Sequence, residues 1–186
     1  DELFACGLMT RIGCLALATI YPGKYTEILE KQDANTSLPV LEQQFLETDH
    51  NQLTAAMLIN FGVPNIMVEP IYYHESPHES GFSEGSRPYQ IVHLLYLAKQ
   101  IADLGISLES EHSKRTADLM LLGSKIGLDT ESFGQFIDQI MHNWQQWGEM
   151  LKLPAVAPPS FQKMASTPAP RPEESIDAAT LRVLLV

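Results

Sequence analysis

The sequence predicts an all-α protein: a compact multi-helix bundle over residues 1–153, a proline-rich linker over 154–178, and one short strand over 179–186. Three observations predict it. Apolar residues recur at three- and four-residue spacing through most of the first 153 positions. No stretch before residue 153 alternates apolar and polar side chains as a half-buried strand does. Half of the chain's 12 prolines then crowd between Pro154 and Pro172, where alanine and serine fill much of the rest.

The elements follow in order. Leu3, Phe4, Leu8, Ile12, Leu15 and Ile20 mark helical spacing, and Cys6, Met9 and Leu17 line the opposite side. A helix apolar nearly all round belongs in the centre of a core. Tyr21-Pro22-Gly23 breaks it, and a second helix is expected from about residue 24 to 32. A third runs from Leu38 to Leu46. Asp49 with Gln52 three residues on resembles a capping box, and opens a helix that reaches Asn60 and stops at Phe61-Gly62. Pro64 starts the next, where its missing N–H costs nothing. That helix is expected to reach His74, kinked or shifted by Pro70.

Residues 76–88 read as a polar loop. An amphipathic helix follows from about Tyr89 to Leu104, on Ile91, Leu94, Leu95, Ala98 and Ile101. After a connector, a helix from about Ser113 is stopped by Gly127. Asp129 or Thr130 caps the last and longest helix, with a stripe of Phe133, Phe136, Ile137, Ile140, Met141, Trp144, Trp147 and Leu151. The ending Leu181-Arg-Val-Leu-Leu-Val186 is the one good strand candidate.

Charge narrows the function. The net charge of −11 argues against a nucleic-acid module, which needs a basic patch, and against adhesion to an anionic membrane. With no signal peptide and no apolar run judged long enough to span a bilayer, a cytoplasmic location is expected. The chain starts abruptly inside an apolar helical pattern without a Met. It is therefore expected to be a piece of a longer protein whose upstream part covers the first helix.

Chemical signals are sparse. HESPH at 74–78 spells HExxH and GFSEG at 81–85 spells GxSxG. The first runs from a helix end through Pro77 into the polar loop, and the second lies within that loop with no strand before it. No paired CxxC occurs, and no metal site or nucleophile is expected. On one helix, Cys6 and Cys14 would stand roughly 12 Å apart, too far for a disulfide. Both read as small core residues. His93, His112 and His142 lack partner spacing and read as surface or boundary residues. Trp144 and Trp147 are explained by helix packing or, alternatively, by a partner surface.

Four segments stand in a telling order: GLMTRIG on the first helix, TDH at a helix start, GVPNIMVEPIYYHESP ending a helix, and VHLLYLAKQIA. In that order they resemble the HDOD family, non-catalytic relatives of the HD-domain phosphohydrolases, over residues 1 to about 153. The resemblance implies an HD-like bundle, here its C-terminal half. In HD hydrolases a His-Asp pair, further histidines and a late Asp hold metals that activate water. Carried over, the His-Asp pair falls on Thr10 and Arg11. The middle-helix histidine is His50, a double histidine falls on His74 and Glu75, and the late Asp falls on Lys99. Threonine is a poor ligand, and an arginine cation repels a divalent ion. No metal, cofactor or catalytic residue is therefore expected.

Arg11 and Lys99 leave three readings open. They pair with Glu75 or another acid as internal counter-ions, they snorkel to the surface, or they bind an anionic ligand such as a nucleotide phosphate. The ending LRVLLV resembles the first strand of a response-regulator receiver domain. The expected function is thus a non-catalytic regulatory module of a bacterial response-regulator-type signalling protein. Its expected partners are a neighbouring receiver domain, another signalling protein or a second copy, with no nucleic acid and no membrane. The alternatives are a divergent metal-dependent phosphohydrolase, or an oligomerisation module built on the Trp144–Leu151 helix.

Overall fold

The structure, a computed structural model, describes residues 2–32, 36–125, 129–152 and 159–166. Among them every regular element is helical, so the protein is all-α. The expected strand over 179–186, and most of the expected linker, lie outside the described residues. The chain divides into two compact units, Asp1–Lys99 and Gln100–Val186.

The first unit opens with α1 (Glu2–Met9) and α2 (Ile12–Ile20), where one continuous helix was expected. Thr10 makes the break. Its hydroxyl donates to the Gly7 carbonyl at 2.8 Å while its N–H also turns back to Gly7 O, which closes α1 early. The expected central position is corrected as well. Cys6, Gly13 and Leu17 are buried, but Phe4 and Leu15 are 73% and 68% exposed, and Leu8 and Ile20 face solvent too. By length and composition Glu2–Ile20 is apolar enough to cross a membrane, which corrects the expectation that no such run exists.

After α3 (Pro22–Lys31) and α4 (Leu38–Leu46) comes α5 (His50–Asn60), capped by Asp49, whose carboxylate accepts the Gln52 N–H at 2.9 Å. The Gln52 side chain turns to Gln43 instead of completing the capping box. Pro70 stays within α6 (Asn65–Tyr72), which ends two residues short of His74. A 3-10 turn, Pro77–Glu79, interrupts the expected loop. The long α7 (Arg87–Ile106) begins at Arg87, which pairs with Glu2.

Two apolar clusters hold this unit. Cys6, Leu58, Val68, Ile71, Ile91 and Leu95 form one; Leu17, Tyr25, Ile28, Leu38 and Leu41 form the other. Helix α2 crosses α5 at very short range. A Cβ on Gly13 would lie 2.1 Å from the His50 carbonyl oxygen, and the Gly13 N–H donates to Thr54 Oγ1 at 3.0 Å. Only glycine permits that approach.

The second unit holds α8 (Glu109–Lys125), α9 (Thr130–Met150) and α10 (Phe161–Ser166), packed on one another. Asp129 caps α9 by accepting the Glu131 and Ser132 N–H groups. Helix α10 falls inside the expected linker. Phe161 and Met164 are both buried, and Phe161 meets Phe133 edge-on with centroids 6.1 Å apart. Asp138 on α9 accepts the Phe161 N–H at 2.7 Å. Proline count alone concealed this apolar pair one helical turn apart. His112, expected near the surface, is buried on α8.

Candidate functional site

Five of the six pocket residues singled out from the sequence meet in the first unit. Arg11 lies at the α1–α2 turn, His50 begins α5, His74 and Glu75 lie in the turn after α6, and Lys99 is on α7. Glu75 is the hub. Its Oε1 lies 3.5 Å from Arg11 Nη1, 3.8 Å from Lys99 Nζ and 3.9 Å from His74 Nε2, and its Oε2 lies 3.6 Å from His50 Nε2. Burial raises the Glu75 carboxyl's affinity for a proton, but His50 and Lys99 outweigh that and hold its pKa down to about 2.

Thr10 does not join the group, because its hydroxyl is spent on the Gly7 carbonyl. Arg11 is 54% exposed and Lys99 26%, and the charged ends of both nonetheless reach Glu75. Trp144 and Trp147 belong to the second unit, 40% and 62% exposed on α9.

A deeper layer was not anticipated. Behind His50 lies Glu42 of α4, and both side chains are fully buried. The Glu42 carboxylate accepts three donors: His50 Nδ1–H at 2.6 Å, the His50 backbone N–H at 2.8 Å and the Tyr25 hydroxyl at 2.6 Å. Buried carboxylates persist when paired and hydrogen-bonded in this way. Burial pulls the His50 pKa down, but hydrogen bonding to Cys14, Glu42 and Glu75 overrides it and holds the imidazolium up to about 11. Burial together with the bond to Glu42 pushes the Tyr25 phenol well above its usual range.

His74 behaves in the opposite way. Its Nδ1–H donates to the Ile71 carbonyl at 2.7 Å, and burial holds its pKa below the ordinary histidine value, so it is neutral. The two histidines thus carry different charges on either side of Glu75. His50 is an ion bridging an inner and an outer carboxylate; His74 is a neutral wall.

This geometry decides what the pocket can do. A metal there would need Glu75, His50 and His74 as ligands, yet Glu75 already faces the cations of Arg11 and Lys99. Arg11 repels a further positive charge beside Glu75. The residues therefore do not fit a hydrolytic metal at this place.

Residues 1–77 match the model of the HDOD domain, a stretch that takes in Arg11, His50, His74 and Glu75. No curated protein and no solved structure gives a significant match.

Proposed function

We propose that the HDOD-type region is a non-catalytic regulatory module in which an internal salt-bridge cluster stands where related hydrolases hold metal. The observation that supports this reading is the placement of Glu75 between Arg11, His50 and Lys99, at 3.5, 3.6 and 3.8 Å. Of the readings left open by the sequence, it favours the internal counter-ion. The cations have a partner within the protein, so an anionic ligand would have to displace Glu75.

On this reading the domain works by binding: a receiver domain linked through the C-terminal segment, another signalling protein, or a second copy. A cytoplasmic setting in a bacterial response-regulator-type protein follows from the resemblance of LRVLLV to a receiver strand. The competing reading, a divergent phosphohydrolase, is separated by assay. Hydrolysis of bis-p-nitrophenyl phosphate with added Mn²⁺ or Fe²⁺ is expected to stay at the buffer rate. Turnover that disappears in Glu75→Gln and His74→Ala would overturn the proposal.

A further inference from the structure

The inner layer brings together donors that the Glu75 cluster does not use. The Cys14 sulfur, a Glu42 carboxylate oxygen and a His50 ring nitrogen all lie within 4.8 Å of one another. They come from three helices, α2, α4 and α5, of which α5 packs on both others. Their positions in sequence, 14, 42 and 50, form no local motif, which is why spacing rules gave no sign of them.

The chemistry of the set is specific. A thiolate, an imidazole and a carboxylate suit a borderline divalent transition ion such as Zn²⁺ or Co²⁺; Mg²⁺ and Ca²⁺ prefer oxygen alone. In a tetrahedral zinc site adjacent donors stand about 3.3–3.6 Å apart. Ligation requires the 2.6 Å contact between Glu42 and His50 to open by about 1 Å, and a pair at the 4.8 Å limit to close by about 1.2 Å. Glu42 and His50 are fully buried, whereas Cys14 is partly exposed, so access is from the thiol's side. Tyr25, bonded to Glu42 Oε1, supports the carboxylate from behind, as a second ring of hydrogen bonds does in metal sites.

We infer that Cys14, Glu42 and His50 form a three-ligand site for a zinc-type divalent ion, with water as fourth ligand on the Cys14 side. The ion ties α2, α4 and α5 together. The site shares His50 with the cluster around Glu75, and an ion there displaces the proton that His50 shares with Glu42. It needs neither Arg11 nor Lys99, so the cluster around Glu75 describes the metal-free protein.

Cobalt titration of the full chain, with a non-thiol reductant and without oxygen, tests it. One equivalent of Co²⁺ is expected to give tetrahedral d–d bands and a near-ultraviolet sulfur-to-cobalt charge-transfer band. Both are lost in Cys14→Ala and kept in Cys6→Ala and His74→Ala, with circular dichroism confirming that each variant is folded. Zinc in tenfold excess is expected to raise Tm in the unaltered chain and not in Cys14→Ala. Absence of the charge-transfer band at millimolar Co²⁺ overturns the inference. So does cobalt binding that survives Cys14→Ala and vanishes in His74→Ala. That second outcome puts the ion beside Glu75 and counts against the regulatory reading too, whereas the first leaves that reading standing.

Discussion

His50 Nδ1 lies 2.6 Å from Glu42 Oε2, and neither side chain is exposed to solvent. The pair joins the start of α5 to the middle of α4, and Tyr25 of α3 completes it. Removing one partner of a buried ion pair leaves an uncompensated charge, which costs about 3–5 kcal/mol. Glu42→Gln is therefore expected to lower unfolding stability by about that much in urea titrations. A loss under about 1 kcal/mol would mean that the pair contributes little beyond its shape.

The same network predicts how stability depends on pH. The folded-state pKa of Glu75 is held down to about 2, from an ordinary 4.5. Its contribution is complete above 4.5 and is lost as pH falls towards 2. The folded-state pKa of His50 is raised from 6.5 to about 11, so its contribution is complete below 6.5 and is lost as pH rises through that window. His74, held below its ordinary value by burial, adds a loss as pH falls under 6.5. Between pH 7 and 9, urea unfolding in EDTA should show stability declining by at most about 1.4 kcal/mol per pH unit. The decline should flatten in a folded His50→Gln variant. Stability that rises over that interval would refute the assignment of the charge to His50.

The two glycines that bracket the GLMTRIG segment should respond oppositely. A methyl on Gly13 would meet the His50 carbonyl, which belongs to backbone and cannot turn aside. Gly13→Ala is expected to cost about 3 kcal/mol, the upper part of the range for overpacking. Nothing lies within 4 Å of a Cβ on Gly7, which sits inside α1. Gly7→Ala should stabilise by up to about 1 kcal/mol through helix propensity. Paired melting curves of the two variants check both, and equal effects would contradict the close α2–α5 crossing.

Trp147 on α9 is mostly exposed, with Met150 and Leu151 exposed beside it. Trp147→Ala is expected to change unfolding stability by no more than about 0.5 kcal/mol, as for a surface position. Light scattering on the same variant reads the other alternative. A dimer that becomes a monomer would assign this face to self-association, and a loss of 2 kcal/mol or more without change in mass would make Trp147 a core residue.

How far the sequence carried these conclusions differs by layer. Periodicity located most of the helices in both units, because apolar stripes and the Asp49 and Asp129 caps are local signals. It could not foresee the break at Thr10, which depends on a hydroxyl returning to Gly7. Nor could proline content foresee α10, whose Phe161 finds its partner Phe133 far away in sequence. The outer ring of the site was legible through the resemblance, residue by residue, and the structure brings Arg11, His50, His74, Glu75 and Lys99 together. The inner layer was not. One clue was present: Glu42 falls on the buried stripe of α4 with Leu38 and Leu41, where a carboxylate needs a partner. Which partner it takes is a matter of three helices meeting, and no spacing encodes that.

The central claim is that Glu75 balances the charge of the pocket lined by Arg11, His50 and Lys99. Urea denaturation of Glu75→Gln at pH 7 in EDTA tests it most directly. Loss of the carboxylate leaves the buried His50 imidazolium without its outer partner and frees Arg11 and Lys99 to repel each other. The expected result is a stability loss of about 3 kcal/mol with the m-value unchanged. A Glu75→Gln protein as stable as the unaltered chain, or more stable, would contradict the claim.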